Sequence, residues 1–365
     1  MVLKELVLTN FKNIAHASLE FSPKVNCLVG NNGMGKSNLL DAIHYLSLCR
    51  SFTGVGDRLL VRRGEDFAMA RALYDRKGVD EEITLGIAPG RRKSLKRGGK
   101  EYRRLAEHIG LFPLVMVSPA DADLVRGTGE ERRRWMDMVI SQAEPLYLDA
   151  LVRYNGALEQ RNRMLRDHVV DHTLYEIVEL TLCAAAAHIA GRRACWLSRL
   201  TDIFRRHYTA VAGESEEVTL AFDSPLAEGA PLQPLLDSAR RHDEIVGHTS
   251  VGPHRDDIAM TLGGMPVRRT ASQGQCKTFT VALRLAQHEF LHQATGLRPM
   301  LLLDDVFDKL DARRVERIME MVATGEEFGQ IFLTDTNRTH LDEIIARTAG
   351  DHRMWTVADG SFTLQ

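Results

Sequence analysis

An eight-residue segment near the amino terminus carries the clearest chemical signal in the sequence. Gly30–Ser37 reads Gly-Asn-Asn-Gly-Met-Gly-Lys-Ser and fits the pattern G-x-x-x-x-G-K-[ST] at every fixed position. Such a loop curls so that its backbone N–H groups bind phosphate oxygens; the lysine reaches the β- and γ-phosphates and the hydroxyl ligates Mg²⁺. The predicted nucleotide-binding residues are therefore Gly30, Asn31, Asn32, Gly33, Met34, Gly35, Lys36 and Ser37.

A second motif places two carboxylates at the end of an apolar run. Leu301–Leu303 is followed by Asp304 and Asp305, about 270 residues after the phosphate-binding loop. We expect Asp304 to hold Mg²⁺ together with Ser37, and Asp305 to orient or deprotonate the attacking water. The long separation argues against small P-loop kinases and GTPases, whose two motifs lie in one compact domain. ATP and Mg²⁺ are the predicted ligands.

A third motif stands about thirty residues before the paired acids, at the start of a predicted helix that continues through Thr278 and Leu285. Small residues at a helix start let backbone N–H groups approach a phosphate, so this motif predicts a second phosphate-facing site. Its residues are Ser272, Gln273, Gly274 and Gln275.

The elements that must position these motifs lie at both ends of the chain. Residues 25–29 form a short apolar run followed at once by glycine, which is typical of a buried parallel strand. Residues 37–48 place leucines and an isoleucine on one face and predict an amphipathic helix. Further apolar runs follow at 299–303 and 330–333, and an Asp-Gly pair predicts a hairpin over 355–364.

The middle of the chain has a helical pattern instead. Leu151, Leu158 and Leu165 repeat at heptad-like spacing, and the segment that follows is rich in Ala, Leu and Arg. The two ends therefore predict one α/β unit that is interrupted by a mostly helical insertion. The predicted boundaries are residues 1–110 and 246–365 for the α/β unit and residues 111–245 for the insertion.

Composition places the chain among ordinary globular proteins. It has 365 residues, 44% of them hydrophobic, with 47 basic and 49 acidic side chains and a formal charge of -2. The five cysteines show no CxxC pair, so we expect reduced thiols. No run approaches 18 uninterrupted apolar residues, and we therefore expect a soluble, cytoplasmic protein with no membrane contact.

One segment is strongly basic although the whole chain is not. Eight Lys and Arg residues fall within the fourteen positions 91–104, around a Gly98-Gly99 turn. A basic hairpin of this kind can follow the phosphates of nucleic acid, whereas the plainer interpretation is a solvated surface hairpin. The candidate DNA-binding residues are Arg91, Arg92, Lys93, Lys96, Arg97 and Lys100.

Taken together, the motifs resemble the RecF family of ABC-type, SMC-like P-loop ATPases. The Ser-x-Gly-Gln signature and a short insertion in place of a long coiled coil carry this resemblance, and it covers nearly the whole chain. Further family-like segments are Leu8–Ile14, Val117–Asp121, Glu131–Arg134, Gln160–Asn162, Thr249–Asp257 and Leu303–Phe307.

The resemblance implies a fold and a function. The fold is an ABC-type ATPase head made from both chain ends, with an inserted helical arm lobe. Two heads would hold ATP between them, with the signature of one copy and its D-loop residue Asp311 facing the nucleotide of the other. Lys12 lies where related heads place a basic residue near the nucleotide.

The implied role is recombinational DNA repair and replication restart. The family resemblance points to ATP-dependent binding of duplex, gapped or junction DNA, including its single-stranded part, to RecR and RecO as partners, and to loading of RecA. It also implies a place in the SOS response, with weak ATPase activity.

Two departures from the broader superfamily bear on catalysis. Many ABC ATPases have Glu where this chain has Asp305, and the shorter acid suggests slow hydrolysis that acts as a switch. The usual histidine after the penultimate strand is replaced by Thr334-Asp335-Thr336. The γ-phosphate sensor is therefore left unassigned, with Asp335 and Thr336 as its candidates, and the Q-loop glutamine is not placed. A transporter ATPase subunit, a metabolic P-loop kinase and a short-armed SMC-like regulator of another pathway remain as alternatives.

Overall fold

The computed structural model describes residues 1–213, 216–307, 312–324, 328–347 and 351–365. The strands in chain order are β1 (Val2–Phe11), β2 (Ile14–Glu20), β3 (Val25–Val29), β4 (Ala68–Arg76), β5 (Val79–Ile87), β6 (Ser94–Arg97), β7 (Lys100–Glu101), β8 (Leu114–Val117), β9 (Val218–Asp223), β10 (Asp257–Leu262), β11 (Met265–Pro266), β12 (Met300–Asp304), β13 (Ile331–Asp335), β14 (His352–Ala358) and β15 (Ser361–Leu364).

The helices in the same order are α1 (Lys36–Leu48), α2 (Ala122–Arg126), α3 (Gly129–Ala143), α4 (Pro145–Arg166), α5 (His172–Ala212), α6 (Gln233–Val246), α7 (Val267–Thr270), α8 (Gln273–Thr295), α9 (Ala312–Thr324) and α10 (Arg338–Arg347). The chain divides into two compact units. Unit 1 comprises residues 1–121, 210–213 and 273–365, and unit 2 comprises residues 122–209 and 214–272.

The central sheet of unit 1 has the strand order β15-β14-β3-β13-β12-β8. All of its neighbouring strands run parallel except the β14–β15 hairpin. Every residue of β3, β12 and β13 is buried, because helices cover both faces of such a sheet and its strands become continuous apolar runs. The sheet therefore brings the carboxyl ends of β3, β12 and β13 to one edge.

The second sheet of unit 1 is antiparallel, in the order β2-β1-β4-β5-β6-β7. Alternate residues of β4 are buried and the others are exposed or half-buried, as expected for a sheet with one face on the core. Its last two strands form a hairpin in which Arg97 lies opposite Lys100. The basic hairpin is thus present, with Gly98 and Gly99 both at positive φ in its turn.

Unit 2 is mostly helical, and α3, α4, α5 and α6 build it around an aromatic centre. Trp135 and Trp196 meet edge to face with ring centroids 5.1 Å apart, and both are buried. A small sheet in the order β11-β10-β9 joins the helices. The segment 246–272, which the sequence analysis assigned to the α/β unit, lies in unit 2.

Among the described residues, α5 alone is long and apolar enough by composition to cross a membrane. Its apolar side chains Leu182, Ile189, Trp196 and Phe204 are nevertheless buried within the protein. A core helix of a globular unit meets the same length and composition test, and we assign α5 to that class.

Candidate functional site

The phosphate-binding loop leaves the buried strand β3 and enters α1. Gly33 and Gly35 have φ of 81° and 115°, backbone conformations that only glycine adopts without strain. A Cβ atom on Gly30 would lie 2.3 Å from the Val357 carbonyl oxygen, so that glycine lets β14 approach the loop. The sequence motif therefore has the backbone that phosphate binding requires.

The carboxy-terminal hairpin packs directly on this loop. Gly360 N donates to Met34 O at 2.8 Å. Gly360 has φ of 76°, and a Cβ there would lie 2.5 Å from the Asn13 carbonyl oxygen. Asn13 Oδ1 in turn accepts from Asn38 Nδ2 of α1 at 2.8 Å. Sequence analysis predicted the hairpin but not this support, which joins residues more than 300 positions apart.

Lys36 lies at the start of α1 with its side chain folded along the loop. Lys36 Nζ donates to Gly30 O at 2.6 Å and to Asn31 O at 3.1 Å. The residue is only 3% exposed, so its ammonium group is held inside the curl of the loop. A phosphate group bound there would lie against a cation and the amino terminus of a helix.

Ser37, Asp304 and Thr334 form one hydrogen-bonded cluster at the edge of the central sheet. Ser37 Oγ donates to Asp304 Oδ1 at 2.9 Å, and Thr334 Oγ1 donates to the same oxygen at 2.7 Å. The cluster exists because β12 and β13 pair in a register that sets Asp304 opposite Thr334. The structure therefore brings the two motifs together, although they are 267 positions apart.

The Asp304 carboxyl lies in a protein interior and is 5% exposed. Burial raises its pKa, while the hydrogen bonds from Thr334 and Ser37 and the charge of Lys36 act in the opposite direction. A hydroxyl and a carboxylate oxygen side by side are the hard donors that Mg²⁺ prefers. The residues present thus fit a magnesium ion, which would neutralise charge on bound phosphates.

Asp305 follows Asp304 in a left-handed backbone conformation with φ of 46°. Its backbone N–H donates to Thr334 Oγ1 at 3.0 Å, so the Thr334 hydroxyl holds both the carboxylate of Asp304 and the backbone of Asp305. Thr334 was missed as a site residue by the sequence analysis, which considered Asp335 and Thr336 at this edge. Asp335 is buried and accepts from Asn337 N at 2.8 Å, whereas Thr336 is exposed.

Lys12 lies in the turn between β1 and β2, at φ of 51°. Its Nζ lies 2.6 Å from Asp41 Oδ2 of α1. Asp41 is fully buried and also accepts from Ser51 Oγ and Phe52 N. The structure therefore places the Lys12 charge on a carboxylate of the helix that follows the phosphate-binding loop.

The signature residues stand at the start of α8. Ser272 and Gln273 are exposed, and Gly274 and Gln275 are half-buried. A Cβ on Gly274 would lie 3.1 Å from Arg314 Nη1, so the glycine leaves room for the Arg314 guanidinium beside the start of α8. Asp311 lies outside the described residues.

The six basic candidates divide into two groups. Lys93 and Arg97 are engaged with carboxylates, since Lys93 Nζ lies 3.3 Å from Asp57 and Arg97 Nε lies 2.7 Å from Glu81. The other four are exposed, and no described carboxylate lies within ion-pair distance of them. They are Arg91, Arg92, Lys96 and Lys100.

Comparison with known proteins gives one consistent result. The RecF/RecN/SMC N terminal domain model matches residues 2–350. The DNA replication and repair protein RecF of Porphyromonas gingivalis is 49% identical over 363 residues, which cover 99% of each chain. That of Parabacteroides distasonis is 48% identical over 360 residues, covering 99% of this chain and 98% of the relative.

The chain belongs to the RecF family. Among solved structures, a RecF described as the recombination mediator protein RecF-ATP in the RecFOR pathway is 29% identical. It superimposes with a TM-score of 0.87 over 100% of this chain and 99% of that chain. An Smc head at 14% identity and a TM-score of 0.59 shares the fold alone. The predicted fold class, an ABC-type ATPase head from both chain ends with an inserted, mostly helical arm lobe, is confirmed for this RecF-family chain.

Proposed function

We propose that this RecF-family chain is an ATP-gated DNA-binding protein of recombinational repair and replication restart. The observation that carries the proposal is the shared oxygen of Asp304, on which Ser37 and Thr334 converge beside the phosphate-binding loop. Residues 30–37 bind the nucleotide phosphates, Ser37 and Asp304 hold Mg²⁺, and Asp305 orients water. The shorter side chain of Asp305 makes hydrolysis slow, so that ATP acts as a switch.

Unit 1 is the proposed ATPase head and unit 2 the proposed arm lobe. Two copies close head to head on ATP, and the Ser272–Gln275 segment of one copy faces the nucleotide of the other. Exposure of Ser272 and Gln273 supports this arrangement, because a motif that acts on a second copy must be accessible in the single chain. Asp311 crosses the same dimer interface in this proposal.

Duplex or gapped DNA is the proposed partner, and the basic hairpin is its candidate contact. Its exposed cations without a described carboxylate partner are available for phosphates; they are Arg91, Arg92, Lys96 and Lys100. A solved relative is described as a recombination mediator in the RecFOR pathway. We accordingly propose RecR and RecO as partners of this chain and RecA loading as the outcome.

The proposal is tested by fluorescence anisotropy of a labelled gapped duplex, titrated with protein in ATP and in ADP. We expect tight, salt-sensitive binding in ATP that collapses in ADP. Lys36→Ala should lose nucleotide binding and the difference between ATP and ADP, whereas the exposed-surface control Lys24→Ala should behave as the wild type. Equal, negligible DNA binding in both nucleotides would remove DNA as the direct partner.

A second variant tests the hairpin separately. Arg91→Ala/Lys96→Ala/Lys100→Ala removes three cations without touching the loop, so nucleotide binding should persist. The slope of log affinity against log salt should fall by about 2 to 3, since each phosphate contact contributes about 0.9. An unchanged slope would assign DNA contact to another surface.

A further inference from the structure

Lys93 connects the basic hairpin to the helix that carries the phosphate-binding loop. Its Nζ donates to Tyr45 OH and to Cys49 O, each at 2.7 Å, and lies 3.3 Å from Asp57 Oδ2. Cys49 is the carboxy-terminal cap of α1, with φ of 57°. A cation on the last carbonyls of a helix is favourable because the helix dipole is negative there.

Two neighbours of Lys93 strengthen this connection. Tyr45 OH donates to Asp57 Oδ1 at 2.5 Å, so tyrosine, aspartate and lysine form one hydrogen-bonded group. His108 Nε2 lies 2.7 Å from Leu46 O in the same last turn of α1. The segment from Lys93 to His108, which includes the hairpin, therefore holds the carboxyl end of α1 at two points.

A cavity of about 350 Å³ opens beside this connection. Its lining residues are Arg92, Lys93, Leu95, Glu101, Tyr102, Arg103 and Leu105. Three cations face one carboxylate there. Arg92 Nη2 donates to the Arg103 carbonyl oxygen at 3.3 Å, and among the described residues neither guanidinium has a carboxylate within ion-pair distance. Such a lining favours an anion, and Tyr102 gives it one aromatic wall.

We propose that this cavity receives a DNA backbone phosphate, held by Arg92 and Arg103, and that Lys93 transmits its occupancy to α1. The inference rests on the proposed function, because it assumes that DNA and ATP both bind the chain. The cavity is next to the proposed contact residues of the hairpin. Lys93, one of its lining residues, contacts the carboxyl end of α1, and the amino-terminal end of α1 carries Lys36 and Ser37.

Two steps connect the cavity to the phosphate-binding loop: a bound phosphate competes with Cys49 O and Asp57 for the Lys93 ammonium, and α1 then moves as a rigid helix. A phosphate in the cavity attracts the Lys93 ammonium away from Cys49 O and Asp57, which weakens the cap on α1. A helix of 13 residues is about 20 Å long and moves as one body. A shift at Cys49 therefore reaches Lys36, and Lys93 is a positioning residue rather than a catalytic one.

The test measures the factor by which a short duplex changes the affinity of full-length protein for a fluorescent ATP analogue. We expect a wild-type factor of about 5 or more, in the ordinary range of coupling between sites. Lys93→Met should bring that factor close to 1, and Lys93→Arg should restore most of it. Arg103→Gln should instead weaken duplex binding itself, by about threefold to tenfold, and lower its salt slope by about 0.9.

Controls separate this inference from the proposed function. If the wild type fails to bind duplex, the proposed function fails; if it binds and Lys93→Met keeps the full coupling factor, only the Lys93 inference is overturned. Should Lys93→Met not fold, Tyr45→Phe removes one partner of Nζ and should lower the factor by about half. Lys24→Met is the matched surface control. Inorganic phosphate titrated in place of duplex should leave the affinity unchanged; an equal effect would assign the cavity to free phosphate instead.

Discussion

Thr334 and Asp304 face each other across the parallel pair β12–β13, and the Thr334 hydroxyl donates to Asp304 Oδ1 at 2.7 Å. The same hydroxyl accepts from the N–H of Asp305 at 3.0 Å. One buried side chain therefore fixes the proposed magnesium ligand and the backbone of the proposed water-orienting acid.

This relationship predicts the effect of Thr334→Val, which keeps the shape and removes the hydroxyl. The variant removes one of the two donors to Asp304 Oδ1, leaving that of Ser37, and removes the acceptor of the Asp305 N–H, at a cost of about 1–3 kcal/mol. We expect kcat for ATP hydrolysis to fall by about tenfold or more, while affinity for ATP changes by less than about threefold. Steady-state kinetics and nucleotide titration measure the two effects. Thr334→Ser should retain the wild-type rate, and a fast Thr334→Val enzyme would show that the hydroxyl has no catalytic importance.

Gly360 predicts a second effect, on nucleotide affinity. Gly360→Ala introduces a methyl group whose carbon would lie 2.5 Å from Asn13 O, so the hairpin turn must move away from Met34. We expect affinity for ATP to fall by at least about fivefold, measured by titration with a fluorescent analogue. The matched control is Gly64→Ala, which has φ of 90° but open space around it. If both variants bind ATP equally, hairpin support of the loop is unimportant.

Local pattern predicted the parts of the site that lie within one element. The glycines and lysine of the phosphate-binding loop, the apolar strand before Asp304 and the Gly98-Gly99 turn each depend on neighbours a few residues away. The two-ended α/β head followed from the same local patterns, because short apolar runs at both chain ends are typical of strands buried in a parallel sheet.

Partners distant in sequence explain what was missed. Thr334 resembles any small polar strand residue until strand register places it opposite Asp304. The density of Lys and Arg around Lys93 predicted an exposed cation, but its ammonium lies against Asp57, 36 positions away. Lys12 likewise pairs with Asp41. Charge in a sequence shows where cations are, whereas only the fold shows which of them already have a carboxylate.

Ser272 predicts a third effect, on association. Ser272→Arg puts a long cation at an exposed helix start that we propose faces a second copy, so it should clash there without disturbing the phosphate-binding loop. We expect wild-type ATP affinity and loss of the ATP-induced dimer in light scattering after size exclusion. Ser198→Arg, at an exposed position of α5, is the control. Normal dimerisation of Ser272→Arg would place the signature away from the dimer interface.

The histidines His44 and His108 predict a fourth effect, on how the free energy of unfolding depends on pH. Both are buried in unit 1, and burial lowers the pKa of each to about 4, because the charged imidazolium loses hydration. The unfolded chain, with a histidine pKa near 6.5, binds protons first as the pH falls. The free energy of unfolding should therefore decrease from pH 6.5 to pH 4, by up to about 1.4 kcal/mol per pH unit for each histidine.

The variant His108→Gln isolates one of these contributions. Its amide can still donate to Leu46 O, which His108 Nε2 contacts at 2.7 Å, but it does not titrate. Urea unfolding at fixed ionic strength should show the variant less stable than the wild type at pH 7 and closer to it at pH 4.5. The control His16→Gln, at an exposed position, should keep the wild-type slope. Parallel pH profiles for His108→Gln and the wild type would mean that His108 has the same pKa in the folded and the unfolded chain, so that burial does not lower its pKa.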